Sequence, residues 1–362
     1  MTTASWTSSV RVLRLLAPMA LLLAACAQSG AATSNVHVLK VPMNGVLPSA
    51  MADEKGVLHV VFAVKENIFY AESSDDGVSF SASQRVNDRP DFAQVGLFRG
   101  PEIAVDTHGT THVVWYNRAW ELNMPRSDWG GMYSRLDRGG GAFEPSRNIT
   151  SGGADGMSVT TLGTEVFVAW HNDSMWLARS RDGGKRFERP LELSALPCEC
   201  CGTSLLATPD GKAYVAYRDR TNNNRDMYLV AVAFDGSPER KLKLDRESWN
   251  IEACPMSNVG LGRLGNRAFV AWEHRSAVLL SSVELDKWVA ADPIQVSGRG
   301  KYPFLLASDR GVLVGWKEGR RLHWRVYDPN TLAQQEEGTV SSPASDRSGG
   351  LVTHSGDFLL LP

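Results

Sequence analysis

The chain has 362 residues, with 38 Lys and Arg against 40 Asp and Glu and a formal net charge of −2 at pH 7. So even a balance, with no long basic run, excludes nucleic acid as an expected partner. Hydrophobic residues make up 43% of the chain, ample for a large core, and only five cysteines are present.

In chain order, Arg11 and Arg14 are the only charges before Cys26, and the stretch Leu15 to Ala25 is apolar apart from Pro18. A basic start followed by a short apolar run reads as an export signal, too short to stay as a spanning helix. It ends in Leu23-Ala24-Ala25-Cys26, which resembles the lipobox of bacterial lipoproteins. The resemblance implies cleavage before Cys26, a lipid on its sulfur and, because Ala27 is not acidic, an outer-membrane anchor facing the periplasm. The alternative is an ordinary signal peptide with a chance cysteine at the cleavage site. Residues 1–25 are therefore expected to be the leader, 26–35 a small, polar, lipidated tether, and 36–362 one folded domain.

Beyond the tether one unit recurs: a small-residue start, an apolar strand, a turn with Gly, and a strand ending in an aromatic. It reads Leu47 to Phe62, Gly100 to Trp115, Asp155 to Trp170, Cys201 to Tyr217, Cys254 to Trp272, Lys301 to Trp316 and, cut short, Gly349 to Leu361. The turn glycines recur at a spacing of roughly 50 residues, the length of one four-stranded blade. Runs such as Leu58-His59-Val60-Val61-Phe62 alternate too poorly for a sheet with one wet face and suit strands covered on both faces. The expected fold is an all-β propeller. Seven blades are favoured, with six and a C-terminal extension as the alternative, and Val36 to Val41 is expected to close the ring onto the last blade.

Two blades carry Ser-x-Asp-x-Gly-x-x-Phe: Ser73, Asp75, Gly77 and Phe80, then Ser180, Asp182, Gly184 and Phe187. Ser134, Asp137, Gly139 and Phe143 form a stretched third copy. These resemble the Asp boxes of the sialidase (bacterial neuraminidase repeat) superfamily, in which the box is structural and lies away from the active site. The resemblance implies a propeller; its hydrolases hold a carboxylate with three arginines and use a Tyr–Glu pair as nucleophile and an Asp as acid/base. Arg99-Gly100-Pro101 matches the family's Arg-Ile-Pro only in part and falls in the second repeat. Arg99, Arg118 and Arg218 are the candidate clamp and Tyr116 or Tyr302 the candidate nucleophile of an exo-sialidase or related glycoside hydrolase. Whether the guanidinium groups converge decides that reading.

The unusual chemistry is Cys198-Glu199-Cys200-Cys201, joined by Cys254-Pro255-Met256. Cys201 and Cys254 hold the same slot in neighbouring repeats, just before the innermost strand, so both are expected at one mouth of the central channel. His171 and His274, which follow strand-ending aromatics, belong to the same face. Three states remain open: two disulfides in an oxidising compartment; a soft metal site, Cu(I) before Zn(II), with Cys198, Cys200, Cys201, Cys254, Met256 and His171 or His274 as ligands; or one disulfide beside a redox-active or metal-binding remainder. A metal would make the chain a copper-handling or delivery protein for an exported partner. Disulfides would leave a scaffold for protein or glycan contacts.

An insertion from Asn117 to Trp129 adds Trp120, Met124 and Trp129 to that face, either to stack on a sugar or partner or to pack as a lid. Gly260-Leu261-Gly262-Arg263-Leu264-Gly265 copies a dinucleotide fingerprint but leads into a strand, so it reads as a blade turn. Asn148-Ile149-Thr150 is a chance glycosylation triplet, and His59, His108 and His112 read as structural or solvated.

Overall fold

Each turn glycine of the repeat sits between the first two strands of a small antiparallel sheet, in a computed structural model that describes residues 1–5, 34–150, 152–234 and 240–362. The chain divides into a first unit, Met1–Ser34, and a second, Asn35–Pro362. The signal, Cys26 and most of the tether lie outside the described residues.

The second unit is a seven-bladed propeller. Its innermost strands are Val46–Ala52, Glu102–Val105, Asp155–Leu162, Ser204–Ala207, Val259–Leu264, Lys301–Ser308 and Gly349–Val352. They surround a channel of about 350 Å³ lined by residues of every blade, among them Ser49, Glu102, Ser158, Thr203, Asn258 and Ser348. The second strands explain the weak alternation of the sequence. All seven residues of Thr111–Asn117 are buried, and six of the seven in Lys212–Arg218. Their side chains point alternately into the two neighbouring blades, so Tyr214 and Ala216 pack with Trp272 and Val270 on one side while Ala213, Val215 and Tyr217 pack with Phe167 and Leu177 on the other. Each fully buried Val, Leu or Phe in these layers stabilises the fold by roughly 1.5–3 kcal/mol.

The ring closes as expected, with one refinement of direction. Val36–Val38 pairs with the last strand, Phe358–Leu361, in parallel register, Val36 opposite Phe358. Blade seven therefore has three strands, with Leu39 N–H donating to Leu360 O at 2.8 Å beyond the strand itself. Phe358 and Leu360, both fully buried, would otherwise form an open edge.

The Asp boxes form as local knots on the side of the first-to-second-strand turns. Ser73 Oγ donates to Asp75 Oδ1 at 2.7 Å and accepts from Gly77 N–H at 2.9 Å, and Ser79 N–H donates to Asp75 Oδ1 at 2.9 Å. The copy at Ser180, Asp182 and Gly184 repeats these bonds at 2.8, 2.9 and, from Arg186 N–H, 2.9 Å. Phe80 packs into the first blade, and Phe187 meets Tyr133 edge-on at 5.1 Å. The stretched third copy does not form this knot. Ser134 Oγ donates instead to Glu144 O and Asp137 pairs with Arg135, although Phe143 still meets Tyr70 at 5.5 Å. The two strand histidines are structural: His59 and His112 are buried against Tyr70 and Tyr133, at 2.6 and 2.7 Å from the hydroxyls.

Candidate functional site

The cysteines gather because two inner-strand approaches meet at the channel mouth. Residues 196–202 run back along the loop that follows Arg218 in the same blade. Cys198 N–H donates to Arg218 O at 2.8 Å and Arg220 N–H to Leu196 O at 2.7 Å. A tight turn, Cys201 N–H to Cys198 O at 3.1 Å, then folds Cys201 back onto Cys198. Gly202 N–H donates to Ser257 O at 2.8 Å and ties this approach to that of blade five, which carries Cys254.

Cys200 and Cys254 are joined in a disulfide with their Cα atoms 6.4 Å apart, within the ordinary range. Cys198 and Cys201 are free and buried, 1% and 3% exposed, with their sulfurs 3.4 Å apart. The Cys198 sulfur is also 3.9 Å from that of Cys200. All four sulfurs lie within 4.8 Å of one another. The structure thus has one disulfide beside two free thiols rather than two disulfides.

The two free thiols are unequal. Arg225 Nη1 donates to Cys198 Sγ at 3.0 Å. The Cys201 thiol donating to it, and then the charges of Arg225 and Arg218, hold Cys198 well below the usual thiol range despite its burial. Cys201 moves the other way, because its proton is held by the bond to Cys198 and burial disfavours its anion. Cys198 is thus the anionic sulfur of the pair and Cys201 the protonated one. Arg225 was not a candidate in the sequence; its only signal there is that Arg218, Arg220 and Arg225 crowd one loop of the cysteine-bearing blade.

The histidines do not join the sulfur group. His171 Nε2 is 2.6 Å from Cys201 O, so it donates to that carbonyl and orients the turn. His274 Nδ1 pairs with the buried Asp245 at 2.8 Å, and its ring lies against Trp249. Among the described residues, the cluster of metal-capable Cys, His, Asp and Glu groups is the four cysteines alone. Met256, at a positive φ of 48°, lines the neighbouring groove together with Glu199.

That groove, of about 540 Å³, opens between blades two and three and is bounded on one side by Glu199 and Met256. Its walls are Trp120, Trp129, Arg126, Arg99, Asp155 and His171. The insertion splits between the two roles expected of it. Trp120 is 60% exposed, whereas Trp129 is held by its indole N–H to Met124 O at 3.0 Å.

The sialidase set does not assemble on the candidate residues. Arg99 is spent on Asp155, which accepts from its Nε at 3.0 Å and again from Nη2. Arg118 faces Glu66 and Glu121. Arg218 is buried, donating to the carbonyls of Arg225 and Glu273 beneath Trp249. Three guanidiniums with three separate partners do not form one carboxylate clamp. Tyr116 is buried and accepts from Met157 N–H, and burial raises its hydroxyl far above the range of a nucleophile. Tyr302, 9% exposed and also raised by burial, stands beside Asp346, Glu273 and Arg99 at the start of the sixth inner strand.

A family description, the BNR repeat-like domain, matches residues 43–253, more than half of the chain. Two solved structures of an ulvan lyase, a polysaccharide lyase, are similar in fold. The one bound to -[GlcA(1-4)Rha3S]- is 10% identical, the other 11%; each superposes with a TM-score of 0.54 over 84% of both chains. No curated protein matches the chain.

Proposed function

The chain belongs to the BNR repeat-like domain family, and from that premise we propose that it binds a soft metal ion, Cu(I) before Zn(II), at its channel mouth and does not cleave a glycoside. The observation that carries this reading is the convergence of four sulfurs within 4.8 Å of one another from two separate blades. Thiolates are the ligands that Cu(I) prefers, and it accepts as few as two. With Cys200 and Cys254 joined, Cys198 and Cys201 are that pair. A Cu(I) ion on two thiolates keeps one net negative charge, which Arg225 and Arg218 offset in a buried place. The lipid expected on Cys26 would hold the propeller at the outer membrane, facing the periplasm. The exposed Trp120 and the groove beside Met256 would receive an exported protein or glycan partner.

The test is the metal content of the chain produced in copper-supplemented cells and purified without oxygen. About one copper per chain is expected, lost in Cys198/Cys200/Cys201→Ser. Absence of copper from the unaltered protein removes the metal reading and leaves a stapled scaffold. The hydrolase reading has its own assay. A fluorogenic sialoside is expected to stay intact; turnover that Arg99→Ala abolishes would reinstate a glycoside hydrolase.

A further inference from the structure

Cys198 and Cys201 have the spacing of a redox dithiol, and a disulfide stands within reach of them. From this geometry we propose that the site is a thiol–disulfide exchanger in which the bond at Cys200–Cys254 migrates to Cys198–Cys201. The inference goes beyond metal binding and needs no ion.

Every sulfur-to-sulfur step is short. Cys198 Sγ, 3.9 Å from Cys200 Sγ, attacks it; the Cys198–Cys200 bond forms and Cys254 leaves as thiolate. Cys201 Sγ, 3.4 Å from Cys198 Sγ, then attacks that atom; the Cys198–Cys201 bond forms and Cys200 leaves. Two S–S bonds break and two form. Cys198 attacks as the anion and brings no proton; the proton of Cys201 passes to the Cys254 thiolate, the negative charge ends on Cys200, and the oxidation level of the four sulfurs is unchanged. Arg225, 3.0 Å from Cys198 Sγ, stabilises the attacking sulfur as an anion.

The consequence lies in where the free thiols stand. Before exchange they are buried beneath the turn at Cys198 and Cys201. After it they are the half-buried Cys200 and Cys254; Glu199, next to Cys200, and Met256, two residues beyond Cys254, line the groove. Exchange therefore moves the free thiols from buried to half-buried positions, where a thiol reagent can reach them. It also removes the covalent link between blades four and five without any outside reductant.

The experiment uses the metal-free full chain carrying Cys26→Ser, which removes the lipid and the fifth thiol. The native protein is treated with iodoacetamide, then unfolded, reduced and labelled with a heavy reagent, and the position of each label is read by peptide mass spectrometry. Iodoacetamide is expected on Cys200 and Cys254 together, with Cys198 and Cys201 carrying the heavy label. In Cys201→Ser only the first step is open, so Cys254 alone is expected to react, with Cys198 and Cys200 recovered as a disulfide. In Cys198→Ser the labelling of Cys200 and Cys254 is lost. Labelling of those two that persists in Cys198→Ser, or unaltered protein whose only reactive thiols are Cys198 and Cys201, would overturn the proposal. Because no metal is added, failure here leaves the copper measurement standing, and the reverse also holds.

Discussion

Cys254→Ser removes the bond between blades four and five while leaving the turn that holds Cys198 and Cys201. The two bonded cysteines are 54 positions apart, so the unfolded chain regains the freedom of a loop of that length. The chain-entropy relation puts this at about 4 kcal/mol at 25 °C. In the native state little is lost, because Gly202 N–H to Ser257 O still ties the two approaches together. At about 2 °C per kcal/mol for a domain of this size, the melting temperature is expected to fall by roughly 8 °C. The assay is guanidinium unfolding followed by tryptophan fluorescence, with and without a phosphine reductant. The unaltered protein should lose about 4 kcal/mol when reductant is added, Cys254→Ser should already lack it and ignore the reductant, and Cys198→Ser should still respond. Equal midpoints for Cys254→Ser and the unaltered, air-exposed protein would refute the staple, and the four sulfurs would then belong together as thiols.

Two other predictions rest on packing and on burial. Gly184 has a φ of +78°, and a Cβ there would overlap the hydroxyl of the fully buried Tyr133, so Gly184→Ala is expected to cost about 3 kcal/mol or more. Gly139→Ala, at a φ of +74° with open space around it, should cost only about 1 kcal/mol in the same guanidinium titration. Burial of Lys317, 1% exposed, lowers its pKa from 10.5 to about 8. The unfolded chain therefore binds more protons between those values, and stability should rise as pH climbs from 8 to 10.5; this slope should be missing from Lys317→Met.

The strand pattern was legible because a propeller writes its period directly into the chain. Every blade needs a tight first turn and a second strand covered on both faces, so the glycines from Gly56 to Gly356 and the non-alternating runs mark each blade locally. Closure at Val36 was equally readable, since the last repeat is short of strands; the parallel direction was not, because one short apolar run fits either way. The intact Asp boxes could be read from spacing; in the stretched third, where Asp137 stands three residues after Ser134 instead of two, Ser134 turns to Glu144 O and Asp137 to Arg135.

At the site, the repeat alone placed Cys201 and Cys254 on the approaches to the inner strands of adjacent blades; they stand three and five residues before those strands. Tertiary structure decided everything that depends on partners distant along the chain. It joined Cys200 to Cys254 and left Cys198 with Cys201, brought in Arg225, and turned His171 to a carbonyl and His274 to Asp245. It also set Arg99, Arg118 and Arg218 against three different partners. A side chain's type tells what it can bond, but which of several equally suitable groups it meets is settled only when the blades close around the axis.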